Sequence, residues 1–404
     1  MSTFPALWES LLPIGRDAGS GGYRRFCWTR AELDCRAWFE TTAAQRQLRV
    51  QADGNGNLFA WWDVPGGSPA IATGSHLDSV PDGGAFDGPL GVVSAFAALD
   101  ELRAAGFQPA RPIVVAAFAE EEGGRFGVAC LGSRLLTGAI DPDTARGLRD
   151  GGGITFAEAI RAAGQDPARL GPDPDLARRI AAYVELHVEQ GRALADLGAP
   201  VGLAEGIWPH GRWRLGFTGR ADHAGTARLA DRADPMLPFA HTVLAARQAA
   251  ADLGTLATVG KVLAEPGAAN AVSSSVQAWL DVRAARTSQL DATVDRVLTA
   301  ARRAAESDQV AFGWKRESWT AAVQFDAGLR ERLAAALAGQ GIGAPVLPTG
   351  AGHDAGVLAA RLPTAMLFVR NPTGVSHSPA EHAGAADCAA GVTALATVLR
   401  ELAG

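Results

Sequence analysis

The chain has 404 residues, 48% of them hydrophobic and 20% charged, and its 37 Lys and Arg against 43 Asp and Glu leave a formal net charge of -6. That length exceeds one ordinary core and calls for two domains, and that composition excludes disorder as the resting state. The acidic balance, with Arg dispersed among Asp and Glu, argues against nucleic acid as a partner, and no apolar run is long enough to span a membrane.

Strand-like and helix-like segments alternate from the N-terminal side. Residues 57–63 and 70–73 read as strands, and 91–105 carries Val92, Val93, Phe96, Leu99 and Leu102 near a helical period. The apolar run 113–119 reads as a strand buried on both faces. The stretch 141–174, rich in Gly, Asp and Pro, reads as loops around a short helix. From about residue 212 the pattern changes to strand, helix, strand, strand, helix, strand. Residues 276–282 alternate apolar and polar there, and 237–253 and 287–305 are helical. The first pattern resumes with a helix over 329–337, a buried strand over 364–369 and a closing helix over 385–402. The expected fold is α/β, a mainly parallel sheet flanked by helices formed by 1–211 and 326–404, with a smaller α+β domain inserted over 212–325.

Cys27, Cys35, Cys130 and Cys388 form no C-x-x-C pair and suggest no disulfide framework. The first thirty residues hold Trp8, Glu9, Arg16 and Asp17 and no apolar run behind a basic start, so no secretory signal is expected. A cytoplasmic setting follows as the expectation.

Five residues read as one divalent-metal site: His76, Asp87, Glu122, His187 and His377. Imidazole and carboxylate without thiolate suit zinc first, with manganese, cobalt or nickel as alternatives, and suit hydrolysis better than a structural role. Alone, each has a plainer reading: a packed histidine, a solvated acidic turn, an Asp-Gly turn. Jointly they gain weight, because His76, the Glu120–Glu122 triplet and His187 each follow a predicted strand, where ligands collect in open α/β sheets.

The string Gly74-Ser-His-Leu-Asp-Ser-Val-Pro-Asp-Gly-Gly-Ala-Phe-Asp-Gly-Pro-Leu-Gly-Val92 resembles the dinuclear amidohydrolases that cleave ureido groups. These include N-carbamoyl-L-amino acid hydrolases, allantoate amidohydrolases and β-ureidopropionases. The blocks Glu120–Phe126, Glu185–Gly191, Asp222–Thr226, Gly350–Asp354 and Ser376–Glu381 are similar to its other signatures, in the same order. The resemblance implies two divalent ions bridged by Asp87, with His76 and His187 on one and Glu122 and His377 on the other. It implies Glu121 as general base, Asp78 as the carboxylate orienting His76, and His223 as an oxyanion donor reaching across a homodimer formed by the inserted, lid-like domain. Arg283 would bind a substrate carboxylate, while Gln190, Asn270 and Gly352 would meet the other polar ends of a small ureido acid. Asp222 stands where the family has Asn, and Ala227-Arg228-Leu229 where it has Thr-Pro-Met, which leaves the substrate open. An N-carbamoyl-L-amino acid is expected, with allantoate next and β-ureidopropionate after it. An aminoacylase or aminopeptidase fits less well, since such relatives place a carboxylate where this chain has His187. A binding protein that has lost its metals would lack a ligand or Glu121, and all are present.

Overall fold

The computed structural model describes residues 3–404. Two compact units form, one from Met1–Gly206 with Gln324–Gly404, the other from Ile207–Val323. The expected boundaries at 212 and 326 lie slightly further along, because strand β6 (Val201–Ile207) gives way to β7 (His210–Thr218) across only Trp208 and Pro209.

The first unit begins with α1 (Phe4–Leu11), α2 (Arg30–Gln45), β1 (Arg49–Ala52), β2 (Leu58–Trp62), β3 (Ala70–His76), α3 (Pro89–Ala104) and β4 (Ile113–Phe118). Short helices α4 (Leu131–Thr137), α5 (Pro142–Gly147), α6 (Phe156–Ala162) and α7 (Pro174–Arg178) follow, then β5 (Ile180–Val188) and α8 (Ala193–Leu197). After the second unit it closes with β13 (Val323–Gln324), α11 (Ala327–Gly339), β14 (Val346–Thr349), α12 (Asp354–Leu358), β15 (Thr364–Val369) and α13 (Ala385–Ala403). The loop-rich reading of 141–174 is therefore corrected to several helical turns. Asp141, Thr155 and Asp173 each cap one with a side-chain oxygen, and Thr155 with Glu158 makes a full capping box. These signals were readable in the sequence.

The sheet has nine strands, running β1-β2-β4-β3-β5-β15-β6-β13, with β14 on β6. Its centre, β4-β3-β5-β15, is parallel, while β2 joins β4 and β6 joins β15 antiparallel. Every residue of β3, β4 and β15 is buried, as a sheet covered on both faces requires. Helix α3 starts with Pro89 in its first turn and is buried on nearly all sides. Val92, Phe96 and Leu99 share one core with Leu395 and Leu399 of α13 and the strand residues Ile71, Val115 and Leu186. Each such side chain contributes roughly 1.5–3 kcal/mol by leaving water. The sum fixes the strand ends firmly.

In the second unit an antiparallel sheet β12-β7-β11-β9 forms from β7, β9 (Leu256–Glu265), β11 (Ser275–Arg283) and β12 (Ala311–Thr320). Helices α9 (Met236–Leu253) and α10 (Thr287–Ser307) cover one face. Trp213, Leu215, Phe217, Val276, Leu280 and Val282 alternate inward against Ala246, Leu290, Val294 and Val297. A two-stranded ladder, β8 (Asp222–His223) with β10 (Ala271–Val272), stands apart from that sheet.

Candidate metal centre

The four parallel strands of the first unit present their carboxyl ends together. His76 is the last residue of β3 and lies in register with Phe118, the last of β4. His187 near the end of β5 is in register with Phe368 of β15. Glu120–Glu122 follow β4, and the loop after β15 carries His377. This is where a doubly covered parallel sheet leaves room for a ligand.

Asp87 stands between two sets of side chains. Its Oδ1 lies 3.2 Å from His187 Nε2 and 3.7 Å from His76 Nε2. Its Oδ2 lies 3.3 Å from His377 Nε2, which is itself 3.6 Å from Glu122 Oε2. Each oxygen of one carboxylate thus faces a different ligand set. His76, Asp87 and His187 offer atoms close enough to hold one ion, as do Asp87, Glu122 and His377.

Two of the histidine rings are held through Nδ1. His76 Nδ1 bonds the main-chain carbonyl of Asp78 at 3.2 Å, and His187 Nδ1 bonds that of Val188 at 2.9 Å. A ring that donates from Nδ1 keeps its Nε2 lone pair for a metal. Both Nε2 atoms are buried and have no hydrogen-bond partner in the protein. Such orphaned acceptors are costly unless a cation takes them, so the residues fit a divalent metal.

Electrostatics point the same way. Burial alone would lower the pKa of His76, but Glu121, Asp78 and Asp87 outweigh it and raise that imidazole well above its ordinary range. Burial and then the Asp87 charge push Glu122 up to about 7. Burial opposes ionisation of Asp87, but His187, His377 and His76 hold it well below the carboxylate range. Burial raises Glu121 well above its ordinary value. Carboxylates gathered this tightly call for cation charge.

Asp78 reaches both the His76 ring and the acidic turn. Its carboxylate stands 3.5 Å from His76 Nδ1 and accepts the backbone N–H groups of Glu121 and Glu122, each at 3.1 Å. The imidazole thus meets both the carbonyl and the carboxylate of Asp78, and the same carboxylate shapes the acidic turn. That turn uses positive φ at Glu120 (52°) and Gly123 (63°). Only the second is conformationally cheap. At Gly88 φ is 86°, and a Cβ there would come within 2.4 Å of the His76 ring. Here glycine is a steric necessity.

Glu381 was not singled out in the sequence. One of its oxygens accepts the N–H groups of Phe86 (3.0 Å) and Asp87 (2.9 Å), and the other accepts Ser376 Oγ at 3.0 Å. It ties the Asp87 loop to the His377 loop. Deeper still, Glu185 accepts Ser75 Oγ and the Ala355 N–H, and Asp354 accepts Ser133 Oγ. Burial and then Glu185 push Asp354 well above the carboxylate range. His353 packs edge-on against His187 with ring centroids 4.5 Å apart.

Gln190 joins the group, its Nε2 donating to Asp87 Oδ2 at 2.9 Å, and its buried Oε1 has no partner in the protein. Gly352 is exposed beside the buried His353, with open space where a side chain would stand. His223, Asn270 and Arg283 belong to the second unit. There His223 Nδ1 accepts the Gly225 N–H at 3.0 Å, the Asn270 carbonyl accepts the Ala224 N–H at 3.1 Å, and Arg283 Nε bonds Asp281 at 2.9 Å.

The chain is similar to known proteins in both sequence and structure. The family model for Peptidase family M20/M25/M40 matches residues 72–401. An N-carbamoyl-L-amino acid amidohydrolase of Geobacillus stearothermophilus is 36% identical over 98% of this chain and 98% of its own. An allantoate amidohydrolase of Escherichia coli is 32% identical over 95% of this chain and 94% of its own. Among solved structures, an amidase of the hydantoinase/carbamoylase family from Burkholderia vietnamiensis matches with a TM-score of 0.89 at 27% identity, covering 99% of this chain and 97% of that one.

Proposed function

The chain belongs to peptidase family M20/M25/M40, and from that premise we propose that it hydrolyses the ureido C–N bond of an N-carbamoyl-L-amino acid, releasing ammonia, carbon dioxide and the amino acid. The observation that carries this reading is Asp87, one carboxylate with each oxygen turned to a separate ligand set. Asp87 would bridge two divalent ions, with His76 and His187 on one and Glu122 and His377 on the other. Zinc is the first choice for this donor set, and manganese, cobalt and nickel are compatible with it. Bound there, the ions supply Lewis-acid polarisation of the ureido carbonyl and a lowered pKa for the attacking water.

The chain's own residues do the rest. Glu121 takes a proton from the water as its oxygen bonds to the carbonyl carbon. It returns that proton to the nitrogen as the C–N bond breaks. Its Oε2, 3.6 Å from His76 Nε2, faces the ligands. His223 donates to the carbonyl oxygen as negative charge gathers there. The Gly225 N–H on its Nδ1 supports that role, because it leaves the proton on Nε2. Arg283 pairs with the substrate carboxylate. Gln190, Asn270 and Gly352 meet the remaining polar atoms, and the partnerless Oε1 of Gln190 suits an N–H donor.

The first unit is the metal domain on this reading, and the second serves as lid and dimer contact. Exposed Met236, Leu237, Val243 and Leu244 on α9, with Leu256, Val262 and Leu263 on the edge strand β9, support a homodimer. A cytoplasmic setting suits the four free cysteines. No helix among the described residues is long and apolar enough to cross a membrane.

Allantoate is the second reading, favoured by the Escherichia coli relative. Ammonia release from N-carbamoyl-L-amino acids, allantoate and β-ureidopropionate by metal-replete protein decides between them. Ammonia from none of the three would end the proposal. Glu121→Gln should lower turnover by about 10²–10⁴-fold with metal content unchanged.

A further inference from the structure

Glu121 is held on three sides. Its N–H donates to Asp78 Oδ1 at 3.1 Å, and its carbonyl accepts the Cys130 N–H at 2.6 Å. The second pairing continues for two more steps, with Leu131 N–H on Glu120 O at 3.0 Å and Gly132 N–H on Ala119 O at 2.9 Å. The acidic turn is thereby zipped to the start of α4. Cys130 then makes a second contact with the same residue, its Sγ donating to Glu121 Oε1 at 3.3 Å. What remains of Glu121 is Oε2, which faces His76.

Cys130 holds a left-handed φ of 56°. For a non-glycine residue that conformation is costly and is retained where the surroundings enforce it. In this conformation both its N–H and its thiol reach Glu121. The thiol is buried, and it is the donor of this contact with Glu121 Oε1 as the acceptor. The terminal torsion of a glutamate is broad, and an unrestrained carboxylate would sample many directions. A donor on one oxygen narrows that range, and a general base works in proportion to its alignment.

We infer that Cys130 is a positioning residue for Glu121: its thiol holds Oε1 so that Oε2 is aimed at the metal-binding side chains. This rests on the reading of Glu121 as base. The thiol suits a buried place better than a hydroxyl because it is cheaper to desolvate. Serine would carry a stronger donor on a shorter arm and should substitute in part.

The test has a spectroscopic and a kinetic arm. The S–H stretching band of Cys130 in the metal-free protein is isolated by subtracting the infrared spectrum of Cys130→Ala. It should lie below the frequency of an unbonded thiol and rise to it in Glu121→Ala. A band that is the same with and without the Glu121 carboxylate overturns the proposal. In metal-loaded enzyme Cys130→Ala should lower kcat about tenfold with KM within about twofold and metal content unchanged. Cys130→Ser should recover most of the loss. Wild-type kcat in Cys130→Ala, or equal losses in Ala and Ser, also overturns it. Full activity in Glu121→Gln would instead strike the base assignment, leaving the infrared band to decide the hydrogen bond by itself.

Discussion

The carboxylate of Asp78 and the backbone of Glu122 are joined by a 3.1 Å hydrogen bond, from the Glu122 N–H to Asp78 Oδ2, across a separation of 44 residues. With the Glu121 N–H on Oδ1, one side chain at the end of β3 shapes the turn at the end of β4. The loop that supplies His76 and the loop that supplies Glu121 and Glu122 are therefore not independent.

Asp78→Ala removes the acceptor for both N–H groups and lets the turn relax. We expect kcat to fall about 10–100-fold, the usual cost of losing a group that orients metal ligands. Asp78→Asn keeps one acceptor oxygen and should lose less. Steady-state kinetics with metal analysis checks this. Equal, wild-type activity in both variants would show that the turn holds itself.

Glu381 links the Asp87 loop to Ser376, and Ser376 Oγ also reaches Asp87 Oδ2 at 3.2 Å. Glu381→Ala should weaken metal binding about 10–100-fold while the strands behind it stay intact. Glu381→Gln should do less harm, since it retains an acceptor. Chelator competition against both variants reads the effect, and unchanged affinity in Glu381→Ala would refute it.

At Gly88 a methyl group would meet His76 Cε1 at 2.4 Å in a backbone with φ of 86°. Gly88→Ala should therefore cost about 2–4 kcal/mol and displace the ring. Denaturant midpoints and metal stoichiometry should fall together. Full stability with two ions bound would contradict the geometry.

Metal affinity should rise with pH. In the metal-free protein Glu122 titrates at about 7, because burial and Asp87 oppose its charge. The half-exposed His377 titrates at about 9, because Asp87 favours its cation. Each would give up its proton to bind a metal, so affinity should climb as pH rises through both values. The same raised pKa values mean that the folded metal-free protein binds more protons than the unfolded chain between each group's ordinary value and its raised one. Stability of that form should thus fall as pH rises through those windows. Proton release on metal binding, measured by calorimetry in several buffers, tests the first part, and thermal melts of the metal-free protein test the second.

Much of the fold was legible because burial writes periodicity into the chain. The runs at 113–118 and 364–369 read as strands because both faces of the sheet are covered, and β11 alternates because only one of its faces is. The helices between β4 and β5 were harder to read. They are short and depend on caps at Asp141, Thr155 and Asp173 more than on an apolar stripe. Glu381 was hidden for another reason. Its partners Phe86 and Asp87 lie 295 and 294 residues away, and no local pattern marks such a contact.

By itself the sequence determined which residue types could bind metal and that they follow strands, because ligand chemistry and strand periodicity are local properties. Only the tertiary structure decided that the two oxygens of Asp87 face different side chains, that Asp78 reaches both the His76 ring and the acidic turn, and that Cys130 touches Glu121. Those relations depend on strand register and on loops brought together by a shared core, and neither is encoded in the spacing of neighbouring residues.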